Sequence, residues 1–261
     1  MKLLGQKLAQ CWLDKSLLNL DIFNKKDIPS TRKEAYQAQN FFYRKIKKKT
    51  LGWKIGAVAR EVQKTEGYDG PVIGKIFADT FLKKNTKIIF NNIPYSYLEC
   101  EYALLFKKNT EIKKDLIKNL DDIRLFTAID ITSSRYEQKS KGRLSRLVQM
   151  YLGIADHGNG GRIIIGDEIN DWRQKKLNEV KIRLNINGKI SEPFFSGKKR
   201  IHPIKSLKVF VNEFKGQNLK TRKNDYLLCG SLIQPYKIKK NDMIKIQYDG
   251  LSLNEFKIKI K

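Results

Sequence analysis

The ten residues Tyr97–Phe106 read YLECEYALLF, and no other stretch constrains the chain so tightly. Apolar, aromatic and free of Gly and Pro, the run predicts a buried strand. Side chains alternate across a strand, so Tyr97, Glu99, Glu101 and Ala103 share one face while Leu98, Cys100, Tyr102 and Leu104 share the other. One face can pack a core. The other carries two carboxylates side by side, which repel each other and are costly to desolvate unless a proton or a cation sits between them. A divalent metal would supply that charge, whereas a solvated edge strand would need none.

Ahead of this run the pattern is helical. Leu4, Leu8, Cys11, Trp12 and Leu18 recur near helical spacing, and Thr31-Arg-Lys-Glu34 is a capping-box pattern followed by Ala35, Ala38, Phe42 and Ile46 on one face. Residues 1–50 are expected to form a small helical region, with the basic run Lys45–Lys49 as a solvated helix end. From Leu51 onward short strands broken by Gly, Asn and Pro predominate, and 51–261 reads as a β-rich domain. Asn187-Gly188 and Asp249-Gly250 mark tight turns, with helices expected over Lys113–Asn119 and Ser206–Gly216. The fold class is therefore α+β.

Composition narrows the function. A net charge of +26 invites a nucleic-acid reading, but 41 of the 53 basic residues are lysine rather than the arginine that suits phosphate forks, and they are spread along the whole chain. Neither a specific nucleic-acid partner nor a membrane is expected. No run approaches the roughly eighteen apolar residues of a membrane span, so a cytoplasmic protein is expected. Cys11, Cys100 and Cys229 lack CxxC spacing and suggest no zinc site.

A third carboxylate completes the acidic set. In LFTAIDITSSR, Phe126, Ala128, Asp130 and Thr132 share a strand face, so Asp130 either joins Glu99 and Glu101 or caps the turn at Ser133 and Ser134. Three oxygen ligands without sulfur or imidazole favour a hard cation, Mg²⁺ or Mn²⁺.

The order and spacing of GWKIG (52–56), Gln63, Gly74, Asp79, the Glu99–Glu101 pair, AIDITSSR (128–135), IADHGNGG (154–161), His202-Pro203, CGSL (229–232) and DMIKIQYDG (242–250) resemble the 2-oxopent-4-enoate hydratase and 4-oxalocrotonate decarboxylase group of the fumarylacetoacetate hydrolase superfamily. The resemblance runs in colinear order from about residue 15 to the end. It implies a mixed β-roll or β-sandwich domain behind the helical region, and a metal held by Glu99, Glu101 and Asp130, the last standing where these enzymes usually have glutamate. Catalytic positions carried over are Lys54, implicated in proton transfer, Asp79, and Asp156 of the family's A-D-N segment. His157 replaces the asparagine of that segment, and either moves protons, orients substrate or packs the loop. Arg135, Asn159 and Ser231 fall on the substrate side, although Arg135 could equally pair with a structural acid. His202 precedes a helix and reads as structural.

A lysine close to a cation and partly desolvated is expected to have its pKa lowered, which suits Lys54 to proton transfer. The implied activity is that of a metal-dependent lyase in the catabolism of small 2-oxo acids, hydrating a 2-hydroxy-2,4-dienoate to a 4-hydroxy-2-oxo acid by way of an enolate. Decarboxylation of a 2-oxo-dicarboxylate and C–C hydrolysis of an acylpyruvate are alternatives, and a homo-oligomer is expected. A non-catalytic subunit of the family and a basic nucleic-acid-binding protein are the readings of a different class.

Overall fold

The computed structural model describes residues 1–113 and 115–261. Helices α1 (Lys2–Asp14) and α2 (Arg32–Ile46) come first. At the start of α2 the Thr31 hydroxyl accepts from the Glu34 N–H, while the Glu34 carboxylate accepts back from the N–H of Ser30, one residue earlier than a capping box requires. The helix closes at Lys47, whose φ of 50° is left-handed, so the lysines beyond it are outside the helix. Leu4 and Leu8 of α1 and Ala38 and Phe42 of α2 are buried in one cluster with Phe77, Tyr136, Leu152 and Ala155.

The chain continues through β1 (Thr50–Gly56), α3 (Arg60–Glu66), β2 (Val72–Phe77), β3 (Phe81–Leu82), β4 (Asn85–Ile88) and β5 (Tyr97–Phe106). Next come β6 (Thr110–Glu111), α4 (Asp115–Lys118) and β7 (Ile123–Thr132). The helix expected over Lys113–Asn119 is a single turn, and Lys114 lies outside the described residues. There follow α5 (Gln138–Lys141), α6 (Arg146–Ala155), β8 (Arg162–Glu168), β9 (Ile182–Ile186), β10 (Lys189–Ser191) and α7 (Pro203–Glu213). Strands β11 (Lys220–Thr221), β12 (Tyr226–Leu228), β13 (Tyr236–Lys237), β14 (Met243–Tyr248) and β15 (Phe256–Ile260) complete it. No described helix is long and apolar enough to cross a membrane.

Two sheets carry the architecture. The larger runs in the order β2-β1-β12-β5-β7-β8-β3, with β13 also on β5, and the smaller runs β10-β9-β14-β15-β4. In the smaller sheet β9 and β10 turn through Asn187 and Gly188, whose φ values of 54° and 89° are both left-handed, as a two-residue hairpin demands. Leu98, Cys100, Tyr102 and Leu104 of β5 enter one apolar core with Ile244 and Ile246 of β14, Ile258 of β15 and Phe210 of α7. The opposite face of β5 is thereby left for its glutamates.

Helices α3 and α6 occupy stretches where the sequence reading assigned no helix. Ser145 caps α6 by accepting from the N–H of Val148, and Met150, Tyr151 and Ile154 bury against Ala35 of α2. Its apolar residues Leu147, Met150, Tyr151 and Ile154 recur at helical spacing on the side that packs. Helix α7 begins three residues earlier than expected, because Pro203 opens it and the His202 ring nitrogen accepts from the N–H of Ile204.

Candidate active site

Strands β5 and β7 pair antiparallel over ten residues, from Tyr97↔Thr132 to Phe106↔Ile123, and that register sets Glu99 directly opposite Asp130. Glu101, two residues along the same face, lies opposite Ala128. One carboxylate oxygen from each of Glu99, Glu101 and Asp130 falls within 4.8 Å of the others. From behind, the Tyr248 hydroxyl of β14 shares its proton between the carbonyls of Glu101 (2.9 Å) and Ala128 (2.7 Å), tying the second sheet to the backbone beneath the carboxylates.

Lys54 arrives from β1. This strand lies parallel to β12, with Lys54 beside Leu228, and β12 in turn pairs with β5. The Lys54 ammonium makes an ion pair with Asp130, both side chains being buried. The Glu101 carboxylate accepts a 2.8 Å hydrogen bond from the N–H of Gly230, while the second oxygen of Asp130, Oδ1, has no donor at all.

The electrostatics follow from this crowding. Burial pushes the Glu99 carboxyl up to about 7, with the charge of Asp130 adding to it and Lys54 opposing it. Burial, then Asp130 and Glu99, holds Glu101 well above the usual carboxylate range, and burial raises Asp130 against the pull of Lys54. Burial is also the largest influence on Lys54 and draws its pKa down, but Asp130, Glu99 and Glu101 together outweigh it. With no cation beside it the net shift of Lys54 is upward, and the lowered value is expected only next to a bound metal. Three carboxylates against one ammonium leave two negative charges when all are ionised.

A divalent cation balances that surplus. The all-oxygen donors and the orphaned Asp130 oxygen fit Mg²⁺ or Mn²⁺. A cation there would also draw the carboxylates' field away from Lys54. Glu99, Glu101 and Lys54 line a cavity of about 510 Å³ together with Asn159, Gly230 and Ser231, and Asp130 is buried behind them. Ser231 donates its hydroxyl to the carbonyl of Ile233 (2.8 Å), and the side-chain oxygen of Asn159 is buried without a hydrogen-bond partner.

The remaining sequence candidates do not line this cavity. Arg135 is spent on Asp156: its Nε donates to one carboxylate oxygen (2.5 Å), its backbone N–H to the other (2.8 Å), and its terminal nitrogens to the carbonyls of Gly160 (2.5 Å) and Asp156 (3.0 Å). Of the two options for Arg135, the structural acid is the one it meets. His157 is 1% exposed, stacked on Phe77 with ring centres 4.5 Å apart and edge-on to Trp12. The N–H of Lys75 donates to the Tyr43 hydroxyl, whose own proton is then directed at His157 Nδ1 (3.0 Å), favouring the neutral ring with its proton on Nε2. Burial holds His157 well below its ordinary pKa, and the charges of Arg135, Lys54 and Lys75 lower it further.

Asp79 is half-exposed, pairs with Lys48 and borders a separate cavity of about 180 Å³ beside Trp12 and Arg162. His157, Gly158 and Asn159 all have left-handed φ, and the turn they form is clamped on both sides. A Cβ at Gly74 would collide with the His157 carbonyl, one at Gly160 with the His157 ring, and one at Gly161 with the Ile131 carbonyl. Asp156 and His157 thus face inward, while Gly158 and Asn159 face the cavity. Sequence reasoning missed Gly230, whose φ of 94° exposes its N–H to Glu101, and Tyr43 and Tyr248, which act through hydroxyls that no local pattern marks.

No family model matches the sequence. Among solved structures, the chain is similar to 4-oxalocrotonate decarboxylase from Pseudomonas putida G7 in complex with magnesium and adipate, with a TM-score of 0.82 and 16% identity over 100% of this chain and 97% of that one. It is also similar to fumarylpyruvate hydrolase from Pseudomonas aeruginosa in complex with Mn²⁺ and pyruvate, with a TM-score of 0.54 and 14% identity over 80% of this chain and 88% of that one. A fumarylacetoacetate hydrolase family protein from Yersinia pestis CO92 aligns with a TM-score of 0.54 and 17% identity over 80% of this chain and 92% of that one. The chain has the fold of the fumarylacetoacetate hydrolase superfamily.

Proposed function

We propose that the protein is a divalent-metal-dependent lyase of small 2-oxo acids, hydrating a 2-hydroxy-2,4-dienoate to a 4-hydroxy-2-oxo acid. The observation that carries this reading is the meeting of Glu99, Glu101 and Asp130 with the buried ammonium of Lys54, at a cavity that Glu99, Glu101 and Lys54 line. Bound there, Mg²⁺ or Mn²⁺ would polarise the substrate's C2 oxygen and offset the negative charge of an enolate. Lys54 would carry the proton between the enol and the neighbouring carbon, its charge held by Asp130 between steps. Asn159, whose spare side-chain oxygen could accept from the substrate's enol hydroxyl, and Ser231 would orient the substrate, and the Arg135–Asp156 pair would hold the loop that presents Asn159. Asp79 has no part in this scheme.

Decarboxylation of a 2-oxo-dicarboxylate is the second reading. What favours it is the full-length likeness to a decarboxylase, helical region included, where the likeness to a hydrolase covers 80% of the chain. Both reactions pass through an enolate and use the same residues. Loss of dienol absorbance dependent on Mg²⁺ or Mn²⁺, and abolished in Glu101→Gln, is the expected result for hydration, while CO₂ release from 2-oxo-dicarboxylates would mark the second reading. Failure of the chain to bind either metal, or absence of metal-dependent turnover of both substrate classes, would overturn the proposal.

A further inference from the structure

Asp79 and the cavity of about 180 Å³ that it borders have no part in the scheme above. The walls of this cavity are the electrostatic reverse of the carboxylate wall. Lys15, Lys48, Arg135 and Arg162 line it, and Asp79 is the one acid among the lining residues. Asp79 is taken by Lys48, and Arg135 by Asp156, which is buried off the wall. Lys15 and Arg162 form no ion pair among the described residues.

Packing gathers these cations. The guanidinium of Arg135 stands 4.9 Å and the ammonium of Lys48 5.7 Å from the ring centre of Trp12, which is on the same wall. Arg162, the first residue of β8, is half-buried, and its guanidinium donates to the adjacent carbonyl of Gly161 (3.3 Å). Burial draws its pKa down, Asp79 opposes that pull, and the charge of Arg135 reinforces it. Two guanidiniums and Lys15 around one small space leave two positive charges unanswered, where three carboxylates and Lys54 leave two negative ones. A divalent anion balances the first surplus as a divalent cation balances the second. Ser16 and Asn92, also on the walls, bring a hydroxyl and an amide able to donate to its oxygens.

We propose that the second cavity is a binding site for a small divalent oxyanion of the sulfate and phosphate class, held by Arg162 with Lys15 and Lys48. The site backs onto the loop that presents Asn159, because Arg135 also donates to the Gly160 carbonyl (2.5 Å) and the Ser133 N–H donates to the Asn159 carbonyl (2.9 Å). It is separate from the metal seat and does not depend on which reaction occurs there.

The test is calorimetric titration of the full chain with sulfate, phosphate and acetate at constant ionic strength, without divalent metal so that no anion is drawn to the carboxylate wall. The wild type is expected to bind one sulfate or one phosphate per chain, and acetate at least about tenfold more weakly. Arg162→Met should weaken sulfate binding at least about tenfold, and Arg162→Lys should retain part of it. Lys15→Asn, which removes a charge and suits the left-handed φ of 55° at that position, should give a smaller loss without touching the sheet. Lys245→Met, an equal charge loss at an exposed position of β14, should change the affinity little. Absence of one-to-one binding, equal affinity for acetate, or equal losses in Arg162→Met and Lys245→Met would overturn the inference, the last by tracing the binding to the +26 charge of the whole chain.

Discussion

The wall formed by Glu99, Glu101, Asp130 and Lys54 and the bundle formed by Arg135, Asp156, His157 and Tyr43 both bury ionisable groups within the same sheet-and-helix frame, but they balance charge in opposite ways. In the bundle every charge is answered internally: Arg135 meets the Asp156 carboxylate through two hydrogen bonds, and His157 is kept neutral between aromatic rings. At the wall three carboxylates face one ammonium, and an Asp130 oxygen has no donor. A self-sufficient network is a scaffold. A network with a surplus of buried negative charge is a seat for a cation, and the contrast separates framework from site better than burial or residue type alone.

The largest effect expected from breaking this contrast is in the bundle. Arg135→Met leaves Asp156 buried and unpaired and should cost about 3–5 kcal/mol of stability, read by urea unfolding, with or without Mg²⁺. At the wall the expectation reverses. Glu101→Gln removes part of the surplus, so the metal-free protein should be at least as stable as the wild type in thermal melts. The wild type should gain about 2.7 kcal/mol when Mg²⁺ or Mn²⁺ is raised to about 100 times its Kd, and Glu101→Gln should lose that gain. A loss of metal-free stability in Glu101→Gln comparable to that of Arg135→Met would erase the distinction.

A smaller, pH-dependent effect tests the neutral histidine. The folded-state pKa of His157 is depressed, so its contribution is fully present above the unfolded value near 6.5. Below that pH the unfolded chain takes up a proton that the folded one refuses. Stability should therefore fall by up to about 1.4 kcal/mol per pH unit, and His157→Gln should remove that slope from the stability profile between pH 6.5 and 5. The smallest change is Tyr43→Phe, which deprives His157 Nδ1 of its donor and should cost about 1 kcal/mol.

How much of this was legible depended on distance along the chain. The alternation in YLECEYALLF is a local property, and it put Glu99 and Glu101 on the face opposite Cys100 and Tyr102, as found. The turn at Asn187-Gly188 and the cap at Thr31 were equally readable, because each is decided within a few residues. Helix α6 was missed although its signal is just as local: Ser145 caps it, and Leu147, Met150, Tyr151 and Ile154 keep helical spacing. The upward shift of Lys54 was beyond reach, because it comes from carboxylates on two other strands.

By itself the sequence determined which residue types alternate along β5 and β7, and hence that three carboxylates would be presented on strand faces, because the two-residue period is set by the backbone of each strand alone. Only the tertiary structure decided that Asp130 stands opposite Glu99, that Lys54 arrives through β12 to meet it, and that Arg135 closes on Asp156. Register and strand order are settled by packing summed over both sheets, and no single segment encodes that sum.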